Sequence, residues 1–302
     1  MISKKMILTN RLIIPQANQD KIIDMYGDII VYIIPYLYKR KDFEGIISFS
    51  IEKMIMGANM TCTTGKGKSF EKFKNVLLKL LKHNIITEIS EEELKKAKPR
   101  DLLEIKFNNP IDIINGKPTN YFLLDLDIFN SICLDNELDT IISLKIYFYI
   151  SARLNRKLGN IKCCFPSINL FIKDLNISKR TLMKYLELLK EKRYINYGNV
   201  GNITSSEGLT KTANNVYVLD YDTLNDALKQ SKYSYKSAGL NVNNKNGKSY
   251  DKSLSGIKGK IIQMDHDGRD SSELRNKHEI VQENMEGAYD DMSNYGKVIK
   301  FK

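Results

Sequence analysis

Histidine and cysteine are the scarce residues of this chain, with three and four copies in 302 positions. His83, His266 and His278 do not supply the neighbouring pair with which a rolling-circle nuclease holds its metal. His83 also has no partner for a Ser/His/Asp or Cys/His nucleophile set. Cys62, Cys133, Cys163 and Cys164 stand at no zinc-ligand spacing and read as reduced core thiols of a cytoplasmic protein. The longest apolar run, Ile29–Tyr38, is about half of what a spanning helix needs and contains Pro35. The basic N-terminus is interrupted at Asn10 and Arg11, unlike the apolar core of a signal peptide. Residues 65–69, Gly-Lys-Gly-Lys-Ser, lack the glycine that a Walker motif places at position 62, where Cys62 stands. The expectation is a protein without enzymatic activity, cofactor or bound metal, cytoplasmic and away from membranes.

What the chain does have is basic charge. The formal net charge is +11, with 42% hydrophobic residues, enough for two domains with cores. A surplus of this size favours a polyanionic partner, although an AT-rich coding bias toward Lys, Ile, Asn and Tyr produces the same balance.

The most informative stretch is 165–197, FPSINLFIKDLNISKRTLMKYLELLKEKRYINY. Ser167 reads as an N-cap, followed by Ile168, Phe171, Ile172 and Leu175 at helical spacing. Asn176 and Ile177 break the helix and Ser178 opens a second one, with Leu182, Leu186 and Leu189 as its buried stripe. Tyr194–Tyr197 turns β-like and Gly198 ends it. This is a helix-turn-helix with a wing strand behind it, and Ser178, Lys179, Arg180, Thr181 and Lys184 lie where the second helix would meet a duplex.

The pattern occurs twice. Upstream, residues 1–18 read as an extended lead-in with a strand at Leu12–Ile14, and a long helix is expected from about Gln19 to Lys39, kinked at Pro35. A strand at Gly45–Phe49, a helix capped by Ser50, and a helix opened by Ser69 follow, the last with Phe73, Val76, Leu77, Leu80 and Leu81 on one face. Strands at Ile85–Ile89, Leu103–Phe107 and Tyr121–Leu124 are expected next, and then a helix capped by Asp127. Four blocks match in order. Tyr32, Ile33, Leu37, Lys39 and Arg40 match Tyr149, Ile150, Leu154, Arg156 and Lys157. Ser50 and Ile51 match Ser167 and Ile168; Ser69, Phe73, Leu77, Leu80 and Ile86 match Ser178, Leu182, Leu186, Leu189 and Ile195. Asn120, Leu124, Asp125, Asp127 and Asn130 match Asn215, Leu219, Asp220, Asp222 and Asn225. The Asp-x-Asp pairs in that last block resemble the metal-binding carboxylates of nucleotidyl transferases, but Asp127 and Asp222 read as helix N-caps.

The fold class is therefore α+β: two tandem winged-helix domains, each a helix-turn-helix with a small antiparallel wing sheet, and a disordered C-terminal tail. The domains are set at 19–134 and 135–229, with a linker near Asn130–Asp139. The tail, 230–302, is polar and charge-segregated and carries too little apolar area to offset ordering entropy. Its basic tract, 232–260, would add salt-sensitive affinity for DNA, and Val298–Phe301 is a minor candidate for docking a partner. In the first domain the aligned DNA-facing positions are less basic: Lys72 and Asn75, with Lys66, Lys68 and Ser69 just before them. Lys95, Lys96, Lys98 and Arg100 on a long first wing, and Lys211 on the second, are candidates for backbone contact.

The two winged helices, the basic balance, the absent catalytic set and the ISKRT–L–KYLELLKEKRYI segment resemble the Rep initiator proteins of theta-replicating plasmids. They are also similar to phage replisome organisers with winged-helix domains. The resemblance covers about residues 20–228. It implies a DNA-replication initiator that binds repeated origin sites as double-stranded DNA, the second domain gripping the major groove. It also implies a homodimer through domain 1, recruitment of a replicative helicase or other replisome protein, and a location on the nucleoid or plasmid. Two other readings stay open on the residues alone: a winged-helix transcriptional regulator or partition adaptor, and a scaffold that binds protein and not DNA.

Overall fold

The computed structural model describes residues 5–15, 20–154, 161–204, 210–243, 250–267 and 270–276. It is a mixed α+β chain whose strands form small antiparallel sheets of two or three strands. The contacts group it into two compact units. Unit 1 comprises Met1–Cys164, Ile168–Asn196 and Tyr217–Thr223; unit 2 comprises Phe165–Ser167, Tyr197–Val216 and Leu224–Lys302. These groupings do not coincide with the expected segments 19–134 and 135–229.

Unit 1 begins with β1 (Lys5–Thr9), and Asn10–Leu12 forms a 3-10 turn where a strand was expected at Leu12–Ile14. The expected long helix is two: α1 (Ile22–Tyr26) and α2 (Ile30–Arg40). The break falls at Gly27, whose φ of 94° is open to glycine but costly for other residues. Pro35 lies inside α2, and the helix runs on through it. Next come β2 (Ile46–Phe49), α3 (Ile51–Gly57), α4 (Ser69–Lys82), β3 (Ile86–Thr87), α5 (Glu91–Lys96) and β4 (Leu103–Phe107). β4 pairs with β2 on one side and β3 on the other, giving the sheet order β2-β4-β3.

A hairpin of β5 (Asp112–Ile114) and β6 (Lys117–Thr119) follows, turned by Asn115 and Gly116, both at positive φ as a type I′ turn requires. β7 (Tyr121–Asp125) pairs with β1, and α6 (Leu126–Leu134) leads to α7 (Thr140–Arg153). The connection between α6 and α7 is thus shorter than the expected linker.

The second series runs β8 (Cys163–Cys164), α8 (Ile168–Leu175), α9 (Lys179–Glu191) and β9 (Asn196–Gly198). β10 (Asn202–Thr204) and β11 (Thr210–Thr212) belong to unit 2, and β12 (Val216–Val218) pairs Tyr217 with Cys164 and Val218 with Cys163. The sheet order here is β8-β12-β9, the same sequence of first, last and middle strand as in β2-β4-β3.

Several of the matched positions are buried alike in the two series. Tyr32 and Tyr149, Phe73 and Leu182, Leu77 and Leu186, Leu80 and Leu189, and Ile86 and Ile195 are all buried at equivalent points of the two series. Arg156 and Lys157 lie outside the described residues. The fourth block is out of register in the sheet: β12 takes the place of β4, while β7, its partner in the sequence match, pairs with β1. Both Asp-x-Asp pairs still close the same turn, but the acceptor is the first aspartate. Asp125 Oδ1 accepts from the Asp127 amide at 2.9 Å and Asp220 Oδ1 from the Asp222 amide at 3.3 Å, so the assignment of the caps to Asp127 and Asp222 is corrected.

Unit 2 contains part of the expected tail as regular structure. α10 (Leu224–Ser237) continues past residue 230, β13 (Asn241–Asn243) pairs with β10, and α11 (Tyr250–His266) follows. The inward face of α10 is made by the buried Ala227 and Ser231 with the half-buried Leu224, Leu228 and Tyr235 beside them. Leu224 and Leu228 lie on Gly198, where a Cβ would stand 3.5 and 3.3 Å from them, and burial pushes the Tyr235 hydroxyl up to about 12. Disorder from 230 onward is therefore corrected as far as 266, apart from 244–249; residues 277–302, with Val298–Phe301, lie outside the described residues. Among the described residues no helix is long and apolar enough to cross a membrane.

Candidate nucleic-acid interface

The start of α9 is built from a short turn. Asn176 takes a φ of 50° and ends α8, and Ser178 then caps α9. The Ser178 Oγ accepts from the Thr181 amide at 3.1 Å and lies 2.9 Å from the Thr181 hydroxyl, so this cap fixes the first turn and occupies two of the polar groups expected to face DNA. Leu182, Leu186 and Leu189 are fully buried, which turns Lys179, Arg180 and Lys184 outward. Among the described residues none of these three cations has an acidic partner; Lys184 Nζ stands 5.4 Å over the Tyr185 ring. Three long cations on the exposed face of the first two turns can reach phosphate oxygens or a guanine edge.

Behind α9, the fixing contacts are polar. Asp174, the penultimate residue of α8, accepts from the Tyr149 hydroxyl at 2.7 Å and from Arg153 Nη2 at 2.6 Å. Arg153 also lies 4.5 Å over the Tyr149 ring, and burial pushes the Tyr149 hydroxyl well above its ordinary value. At the other end Lys192 meets Glu137 at 2.5 Å and Asp135 at 3.3 Å, and its ammonium is held charged above the usual range mainly by the hydrogen bond to Glu137.

The start of α4 differs. Its N-cap position is Lys68, with no side-chain cap bond, and Ser69 is the first helical residue. The Ser69 hydroxyl closes the preceding loop, donating to the Thr61 carbonyl at 2.7 Å and accepting from the Thr63 amide at 2.9 Å. The Phe70 amide is taken by the Thr63 carbonyl at 3.1 Å. The Ser69 hydroxyl and the Phe70 amide are thus both spent inside the loop. Lys66, Lys68, Lys72 and Asn75 are exposed. Lys74, beside them, pairs with Glu71 at 3.5 Å and donates to the Lys95 carbonyl at 3.2 Å.

The first wing holds a helix, α5, capped by Ser90 on the Glu93 amide. Lys95 and Lys96 are exposed but matched by Glu91 at 2.5 Å and Glu92 at 2.6 Å, and the hydrogen bond from Lys95 lowers the Glu91 carboxyl. Arg100 pairs with Glu52 of α3 at 3.1 Å. Lys98 is exposed, and its amide donates to Asp101 at 2.8 Å. Lys211 belongs to unit 2, half-buried on β11. The i,i+4 spacing of Glu91 with Lys95 and of Glu92 with Lys96 is the sequence signal for these pairs.

The four cysteines are free thiols, three of them buried. Burial pushes Cys133 up to about 12 and Cys163 up to about 11, which keeps them protonated and inert. No family model, curated protein or solved structure matches the chain.

Proposed function

We propose that unit 1 carries the two helix-turn-helix series of a tandem winged-helix protein and binds double-stranded DNA through them, with α9 as the main recognition helix and α4 as the weaker one. The observation that carries this is the exposed face of the first two turns of α9. A capped, fully anchored helix presents Lys179, Arg180 and Lys184 outward without an acidic partner among the described residues. The repeated strand order, β2-β4-β3 and β8-β12-β9, around two helix-turn-helix pairs supports reading both series as the same module. In this reading Arg180 is the residue suited to a bidentate guanine contact, and Lys179 and Lys184 hold phosphate. Ser178 and Thr181 preorganise the turn, and Lys66, Lys68 and Lys72 add backbone attraction at α4.

The protein acts as a replication initiator at repeated origin sites, recruits replisome partners and needs no chemistry of its own. Footprinting of the full chain on the DNA flanking its gene tests this. Protection of several direct repeats is expected, and protection of a single promoter palindrome would overturn the initiator role.

A further inference from the structure

The two helix-turn-helix series of unit 1 are not two beads on a linker. α7 opens the second series, yet every residue from Ser143 to Ser151 is buried, on all faces of the helix. A helix buried all round needs cover on all sides. α7 packs against α2, α6 and β7 of the first series and against α9 and β8 of the second. α2 is buried in the same way from Ile30 to Leu37. The opening helices of both series therefore form one core.

Polar contacts bridge the same join at separate points. Lys145, 2% exposed, meets Asp28 between α1 and α2 at 2.9 Å. Lys21, ahead of α1, donates to the Asp174 carbonyl at the end of α8 at 2.6 Å. Lys192, just after α9, is clasped by Asp135 and Glu137 of the connection. These contacts fasten the segments that lead into and out of α9 to the first series.

We infer that unit 1 reads DNA as one rigid body, so that the spacing between the segment contacted by α9 and the segment contacted by α4 is itself a determinant of specificity. This rests on the duplex-DNA reading above. One inserted base pair moves the two segments apart by about 3.4 Å and rotates them by about 35°. A flexible connection absorbs that change, and a shared core does not.

Two measurements test it on the full chain. The first is independent of DNA. With Cys62→Ser removing the half-buried thiol, spin labels at Lys82→Cys and Glu191→Cys, exposed at the far ends of α4 and α9, should give one narrow distance distribution. That distribution should not change when duplex is added. A broad or bimodal distribution, or a shift on binding, would overturn the inference.

The second uses a duplex selected from a random library by the unlabelled chain and footprinted. Two protected segments are expected, and one base pair inserted between them should weaken binding by at least about 100-fold, toward the non-specific level. A loss under about 3-fold, or a single protected segment, would overturn the rigid reader while leaving DNA binding intact. Failure to enrich any duplex would overturn the DNA reading, and with it this inference.

Discussion

The starts of α4 and α9 occupy matched places in the two series and differ in how they are capped and in how many acids stand near them, although Lys66, Lys68 and Lys72 at α4 are exposed without an acidic partner among the described residues, as Lys179, Arg180 and Lys184 are at α9. At α9 the cap is made locally by Ser178, and Lys179, Arg180 and Lys184 are left to solvent without acidic partners among the described residues. At α4 the serine is consumed in closing the 61–69 loop, and acids take up nearby cations: Glu71 with Lys74, Glu91 with Lys95, Glu92 with Lys96, Glu52 with Arg100. The cores of the two helices are alike; the surfaces are not. The two helices thus bury similar stripes, while acids gather beside α4 and not beside the start of α9.

If the difference is confined to the surface, the cores should respond equally. Leu77→Ala and Leu186→Ala each remove a fully buried side chain and should each cost about 2–5 kcal/mol in denaturant unfolding. A large cost at one and a negligible cost at the other would break the equivalence. Asp28→Ala should cost about 3 kcal/mol, because it leaves the Lys145 ammonium buried and unpaired. Adding Lys145→Met, which keeps the volume and removes the charge, should recover most of that loss. The smallest effect belongs to the first wing. Lys95→Ala with Lys96→Ala should change DNA affinity and stability by no more than about 0.5 kcal/mol, because both cations are exposed and already paired. A larger loss of affinity would restore that wing as a contact surface.

Most of the helices were legible because each carried its own start and stop. Ser50 and Ser178 are caps, the Leu182/Leu186/Leu189 stripe is periodic, and Asn84 and Asn176 take the left-handed φ that ends a helix. The division of α1 from α2 was hidden because apolar residues recur on both sides of it, and only Gly27 and Asp28 mark the break. α10 was hidden by a polar composition; only Ala227 and Ser231 are buried in it. The Asn115-Gly116 hairpin and the Ser90–Glu93 cap were readable signals, passed over inside segments taken as wing or loop. The candidate site was legible as a list of cations. Which of them stay unpaired was not, since Arg100 finds Glu52 across 48 residues of sequence. The all-round burial of α7, which joins the two series, depends on packing between segments far apart in the chain.

The most direct test of the account is the affinity of the Arg180→Ala, Lys184→Ala variant for a duplex selected by the wild-type chain, measured across a salt series. The expected result is a loss of about 1–3 kcal/mol in specific binding, roughly 5- to 150-fold, with a salt slope shallower by about one to two contacts. Unchanged affinity and slope, in a variant that unfolds like the wild type, would contradict the assignment of α9 as the DNA-reading helix.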